Sequence, residues 1–140
     1  MAQQVVDFAV QLGAPVLLVL PFPAGRTTPT GDPQLEDEWI STAAAEWSNA
    51  VDSVRQVSEY ASSQNLILAV EPINRFETYQ LTTAQQARKF IRDVNADNVK
   101  LNLDTYHMNI DEADPAEAIQ HSGEYLVHMH AADSNRQAPG

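Results

Sequence analysis

The sequence predicts an α/β protein with parallel strands, a (β/α)8 TIM barrel represented by about half its circumference. Three observations predict this class. Apolar spacing alternates between helical and strand-like segments along the 140 residues. Polar residues sit inside the strand-like segments, and Glu71, Asp104 and His130 each close one of them. Regular helix–strand alternation requires parallel strands joined by right-handed crossovers, and barrel enzymes carry their chemistry where the strands end.

The elements follow in order. Val5, Phe8, Ala9 and Leu12 are spaced for a helix that Gly13 ends. Residues 15–21 (PVLLVLP) form an apolar strand, and residues 24–33, with two prolines and two glycines, form a loop. Asp32-Pro33 reads as N-cap and first helical residue. Leu35, Trp39, Ala43, Trp47, Val51, Val54, Val57 and Ala61 then mark one face of a long amphipathic helix. The strand at 66–71 closes on Glu71. Thr82 with Gln85 reads as a capping box before a helix whose apolar face is Ala84, Ala87, Phe90, Ile91 and Val94. The strand at 99–104 closes on Asp104. Asp114-Pro115 with Glu117 opens a short helix, and the strand at 126–130 closes on His130.

An open doubly wound sheet is the competing architecture. No glycine-rich phosphate loop follows any strand, which weakens it. Lys100, Asn102 and Asp104 fall on one strand face, as do His128 and His130. A barrel interior accepts such polar residues, whereas open parallel sheets are apolar on both faces. A whole barrel takes roughly 250 residues and eight strands, and four strands are predicted here. Residues 1–140 are therefore expected to be a single partial-barrel domain, an internal piece of a longer protein truncated at both ends.

Composition excludes several functions. The net charge of −11, with eight basic residues in no run, gives nucleic-acid binding no electrostatic support. Without cysteine there is neither a disulfide nor a thiolate metal site, which is consistent with the cytoplasm. The longest apolar run, Val16 to Leu20, is too short to span a membrane.

Taken singly, Glu71 before Pro72 and Asp104 after a strand could be turn residues, and a strand histidine is usually a core residue. His128 reads as that core residue, or as a partner supporting a ligand. Three ligand-type side chains ending three consecutive strands exceed turn chemistry, and they suit a hard to borderline divalent metal. Glu77, His107 and Arg136 follow within a few residues, on the loops around a barrel mouth.

The motifs EPINRFET (71–78), LDTYHMN (103–109) and HMHAADSNR (128–136) resemble those of the ketose 3-epimerases. That family includes the tagatose and psicose (allulose) 3-epimerases and belongs to the xylose isomerase-like sugar isomerase/epimerase superfamily of β/α barrels. The resemblance runs from near Trp39 to the C-terminus. It implies that Glu71, Asp104 and His130 are metal ligands and that Glu71 is one of two acid/base glutamates. It implies substrate contacts for Glu77, His107 and Arg136, with manganese as the metal and magnesium or cobalt as substitutes. The expected reaction is epimerisation at C3 of a ketose through a cis-enediolate. The family's fourth ligand, which is also its second acid/base glutamate, has no counterpart here, and the loop at 20–25 matches no family motif. Two alternatives stand beside this reading: an aldose–ketose or hydroxypyruvate-type isomerase of the same superfamily, and an α/β fragment inactive alone. The expected partner is a small sugar, and exposed strand edges make a homo-oligomer the expected assembly.

Overall fold

The computed structural model describes residues 2–30 and 36–140, apart from the Glu38 side chain. Four strands form one all-parallel sheet in the order β1-β2-β3-β4: β1 (Val16–Val19), β2 (Ile67–Val70), β3 (Val99–Asp104) and β4 (Leu126–His130). Helices α1 (Ala2–Gln11), α2 (Glu36–Ser63), α3 (Ala84–Val94), α4 (Thr105–Asp111) and α5 (Pro115–Ser122) precede or connect the strands, and a 3-10 turn, Gly123–Tyr125, leads into β4. This is the sequential parallel order of a barrel wall. The Asp32-Pro33 cap and Leu35 lie outside the described residues.

The core lies between the sheet and its helices. Leu68, Val70, Val99, Leu101 and Leu103 point to the helix side and are buried with Ala87, Phe90 and Val94 of α3 and Val51, Val54 and Ala61 of α2. Phe22, Trp47 and Phe90 make a ring cluster, with centroids 5.3 to 5.9 Å apart. Such tilted and edge-on pairs add to the area they bury. The expected face of α3 is buried throughout.

Three local expectations are corrected. The capping box of α3 lies one residue later than predicted: extended Thr83 accepts from the Gln86 N–H, and the Gln86 side chain reaches back to Thr83. Leu81, at φ +60°, turns the chain so that Thr83 rather than Thr82 occupies the cap. The stretch after Asp104 contains helix α4, which apolar spacing did not mark because it is only seven residues long. On α1 the buried residues are Val6 and Ala9, while Val5, Phe8 and, one residue past its end, Leu12 face outward. Nothing among the described residues covers that stripe, so spacing located the helix but not its packed face.

A bulge in β4 decides the direction of its histidines. Leu101 pairs with Leu126, but Asn102 pairs with His128, so Val127 is an extra residue in the ladder. Leu126 packs against the core. Unbroken alternation would send His128 and His130 to that same side. The inserted residue reverses the phase, and both rings turn to the opposite, polar face.

Candidate functional site

The polar face carries the site. Asp104 and His130 end their strands and are paired in register, while Glu71 follows Val70 directly, one step past the end of β2. Val70 pairs with Leu101, so Glu71 comes level with Asn102, whose amide donates to Glu71 Oε1 at 2.9 Å. His130 donates from Nδ1 to the same Glu71 oxygen at 3.0 Å and lies 3.7 Å from Asp104 Oδ2. The sheet thus brings together all three residues that the sequence singled out at strand ends.

Asp104 has two tasks. Its Oδ1 accepts from the Tyr106 N–H and caps α4, while Oδ2 faces the histidines. The turn reading and the ligand reading of this residue therefore concern different oxygens. Capping fixes the carboxylate plane, which is what a ligand position needs.

The second group also assembles. Arg136 donates to Glu77 Oε1 at 3.2 Å, and its guanidinium lies 4.0 Å from the centre of the Tyr106 ring. His107 is buried with Nε2 4.0 Å from Asp104 Oδ2 and Nδ1 3.9 Å from Glu77 Oε1. Thr105 Oγ1 donates to the Ala132 carbonyl and accepts from the Ala132 N–H, which ties the loop after β4 to the start of α4. Arg136 itself holds φ +64°, a left-handed backbone that a non-glycine residue adopts at a cost of about 1–2 kcal/mol.

Electrostatics distinguish the groups. Burial pushes the Glu71 carboxyl above its ordinary range; His130 pulls it back, and the facing Asp104 adds to the rise. Burial likewise pushes the His107 imidazole below its usual value, against Asp104 and Glu77, so the ring is neutral near pH 7. Among the described residues, neither Glu71 nor Asp104 has a lysine or arginine within ion-pair distance. Two buried carboxylates facing imidazoles and no fixed cation fit a divalent metal as a donor set. One ligand atom each from Glu71, Asp104 and His107 lie within 4.8 Å of one another, so two imidazoles, His107 and His130, border the carboxylate pair.

Two residues had no role assigned from sequence. Asn102 bridges the site: its Oδ1 accepts from His128 Nδ1 at 2.8 Å while its amide holds Glu71. His128 is exposed rather than a core residue, and it supports Glu71 through Asn102. The alternation of Lys100, Asn102 and Asp104 was the signal for this. Asn74, inside the 71–78 motif, bonds to both His107 and Glu77. No local pattern marks it, because His107 is 33 residues away.

A roomy apolar cleft of about 570 Å³ lies elsewhere, between α1, β1 and α2, and none of the site residues lines it. Among the described residues, no helix is long and apolar enough to cross a membrane.

Comparison with known proteins identifies the fold family. The chain is 42% identical over 95 residues to a D-psicose 3-epimerase of Ruminiclostridium cellulolyticum, covering 68% of this chain and 32% of that protein. The solved D-allulose 3-epimerase of Methylomonas sp. in complex with D-allulose superposes with a TM-score of 0.83 at 27% identity, over 96% of this chain and 43% of that one. A 3-keto-D-glucoside 4-epimerase from E. coli superposes with a TM-score of 0.84 at 26% identity, over 99% of this chain and 51% of that one. The chain thus spans about a third of the length of the curated relatives it matches. Residues 1–140 match the xylose isomerase-like TIM barrel family over their whole length, and the chain belongs to that family.

Proposed function

We propose that this chain carries part of the active site of a metal-dependent sugar epimerase that inverts C3 of a ketose. The observation carrying this reading is the convergence of Glu71, Asp104 and His130, with His130 Nδ1 3.0 Å from one carboxylate and 3.7 Å from the other. The similarity to psicose, allulose and ribulose 3-epimerases supports the reaction class.

Glu71, Asp104 and His130 would hold the divalent cation, with manganese the expected ion and magnesium or cobalt able to replace it. A bound cation supplies positive charge that makes a carbon acid beside a carbonyl easier to ionise. Glu71 exchanges the C3 proton with the sugar. Its contacts with Asn102 and His130 both fall on Oε1, which fixes the carboxylate and leaves Oε2 to the substrate. Its raised proton affinity suits a group that must both take and return a proton. The resulting cis-enediolate is reprotonated from the opposite face by a second acid. His107, Arg136 and Glu77 hold the sugar oxygens, and their mutual contacts restrict how the sugar can lie.

The site is open along β4, where the His130 side chain is 43% exposed. The 140-residue chain alone is therefore proposed to bind the cation and to turn over negligibly. A free rather than phosphorylated sugar and a cytoplasmic location complete the reading.

Calorimetry with Mn²⁺ on this chain and on Asp104→Ala tests it. We expect saturable one-site binding, lost in the variant; absence of binding both in the folded chain and in a protein of the relatives' full length would defeat the ligand assignment. On a protein of the relatives' full length, the C3 proton should exchange with solvent. Retention of that proton would count against the proposed acid/base step.

A further inference from the structure

Asn74 is buried beside the substrate-facing groups, and its side-chain orientation is fixed independently of them. Its Oδ1 accepts from the Phe76 N–H at 3.0 Å, an Asx turn, so Nδ2 must point the other way. There Nδ2 meets Glu77 Oε1 and His107 Nδ1, each at 2.8 Å. An amide nitrogen has two hydrogens and no acceptor capacity, so it donates one to each partner. The Asn74 main-chain N–H also points at His107 Nδ1, at 3.1 Å.

Two donors facing Nδ1 decide the ring's tautomer. A neutral imidazole has one bare nitrogen and one N–H. The alternative would leave Nε2 bare to accept from Arg136, but that contact is 3.5 Å, at the limit of a hydrogen bond, and it would set an Nδ1–H against both Asn74 donors. Two contacts of 2.8 and 3.1 Å outweigh one of 3.5 Å.

We infer that Asn74 is a positioning residue whose single amide group holds His107 as its Nε2–H tautomer and anchors the Glu77 carboxylate. His107 then offers a donor, not a lone pair, on the side facing Asp104. This makes it a hydrogen-bond donor to a sugar oxygen and leaves the imidazole ligand position to His130. That assignment of roles rests on the epimerase reading; the tautomer and the amide bridge do not.

The test is nitrogen-15 NMR of the histidine rings in the 140-residue chain, without added metal. We expect the wild-type His107 proton on Nε2 and a through-bond nitrogen–nitrogen coupling between Asn74 Nδ2 and His107 Nδ1. Asn74→Asp puts an acceptor where the donor stood. It should protonate Nδ1, changing the occupancy of that nitrogen by about tenfold or more, the effect of one charge-assisted hydrogen bond. A wild-type ring protonated at Nδ1, absence of the coupling, or a folded Asn74→Asp chain with an unchanged ring would each overturn the inference. If Asn74→Asp does not fold, the two wild-type readouts still decide. None of them requires turnover, so a failed epimerase assay with an intact Nε2–H ring would reject the reaction and keep the positioning role.

Discussion

The middle of the sheet and its two flanks are built to different standards. In β2 and β3 the helix-side residues are fully buried, and the other face ends in Glu71, Asn102 and Asp104, all buried as well. At the flanks, Leu18 and Leu20 near β1, Val127 and Met129 of β4, and the Val5, Phe8 and Leu12 stripe at α1 are all substantially exposed. The difference teaches where rigidity comes from. A strand with neighbours on both edges and helices behind it holds a buried carboxylate at a set height, whereas a strand with one free edge needs a bulge and a tethered loop to aim its histidines.

The largest test of this comparison concerns the flank. His130→Ala removes the imidazole that the extra residue Val127 turns toward Glu71 and Asp104. We expect Mn²⁺ affinity to fall by about a hundredfold or more with the centre of the sheet still folded, the penalty for losing a ligand. Unchanged affinity by calorimetry would show that β4 contributes no ligand. In the centre, Phe90→Ala should cost about 3–5 kcal/mol in urea unfolding, as truncation of a large ring in a closed core does. A loss below about 1 kcal/mol would mean that the core readily collapses around the gap.

Open edges and an exposed apolar stripe favour self-association. Sedimentation should show dimers or larger species that Leu18→Lys reduces; a clean monomer at high concentration would show that the flanks protect themselves. A smaller effect concerns pH. Burial raises Glu71, so its contribution to metal-free stability is present below about pH 4.5, its ordinary value, and is lost as pH rises through the higher folded value. The sign is opposite for His107. Its folded value is depressed, so its contribution is present above about pH 6.5 and is lost as pH falls through the folded value. Without metal, Glu71→Gln should therefore be more stable than wild type at pH 7, with the gap closing on acidification; a gap constant with pH in urea titrations would contradict the buried, ionised carboxylate. The smallest expected change is that of Phe8→Ala, which is 60% exposed and should shift stability by no more than about 0.5 kcal/mol.

Much of the fold was legible because it depends on local spacing. The buried face of α3, the Asp114 cap of α5 and the strands at 99–104 and 126–130 follow from repeats of apolar residues and from cap chemistry within one segment. The cap of α3 was misplaced by one residue because two adjacent threonines offer the same hydroxyl. Only the turn at Leu81 selects between them. Helix α4 was missed because it is held by the Asp104 cap and by packing rather than by a periodic pattern.

By itself, the sequence determined the class of the fold and which residues end the strands, since both are written in alternation and in residue type. It also supplied two carboxylates and an imidazole there, residue types that suit a divalent cation. The tertiary structure alone decided which atoms face one another. The pairing of Val70 with Leu101 sets the height of Glu71 beside Asn102, and the bulge at Val127 sets the side of His130. The contact between Asn74 and His107 sets where the ring proton sits. Each of these depends on register and hydrogen bonding between segments that lie 26 to 59 residues apart in the chain. No spacing within one segment can encode such a relation, because a shift of one residue reverses every side chain of a strand while leaving its local pattern unchanged.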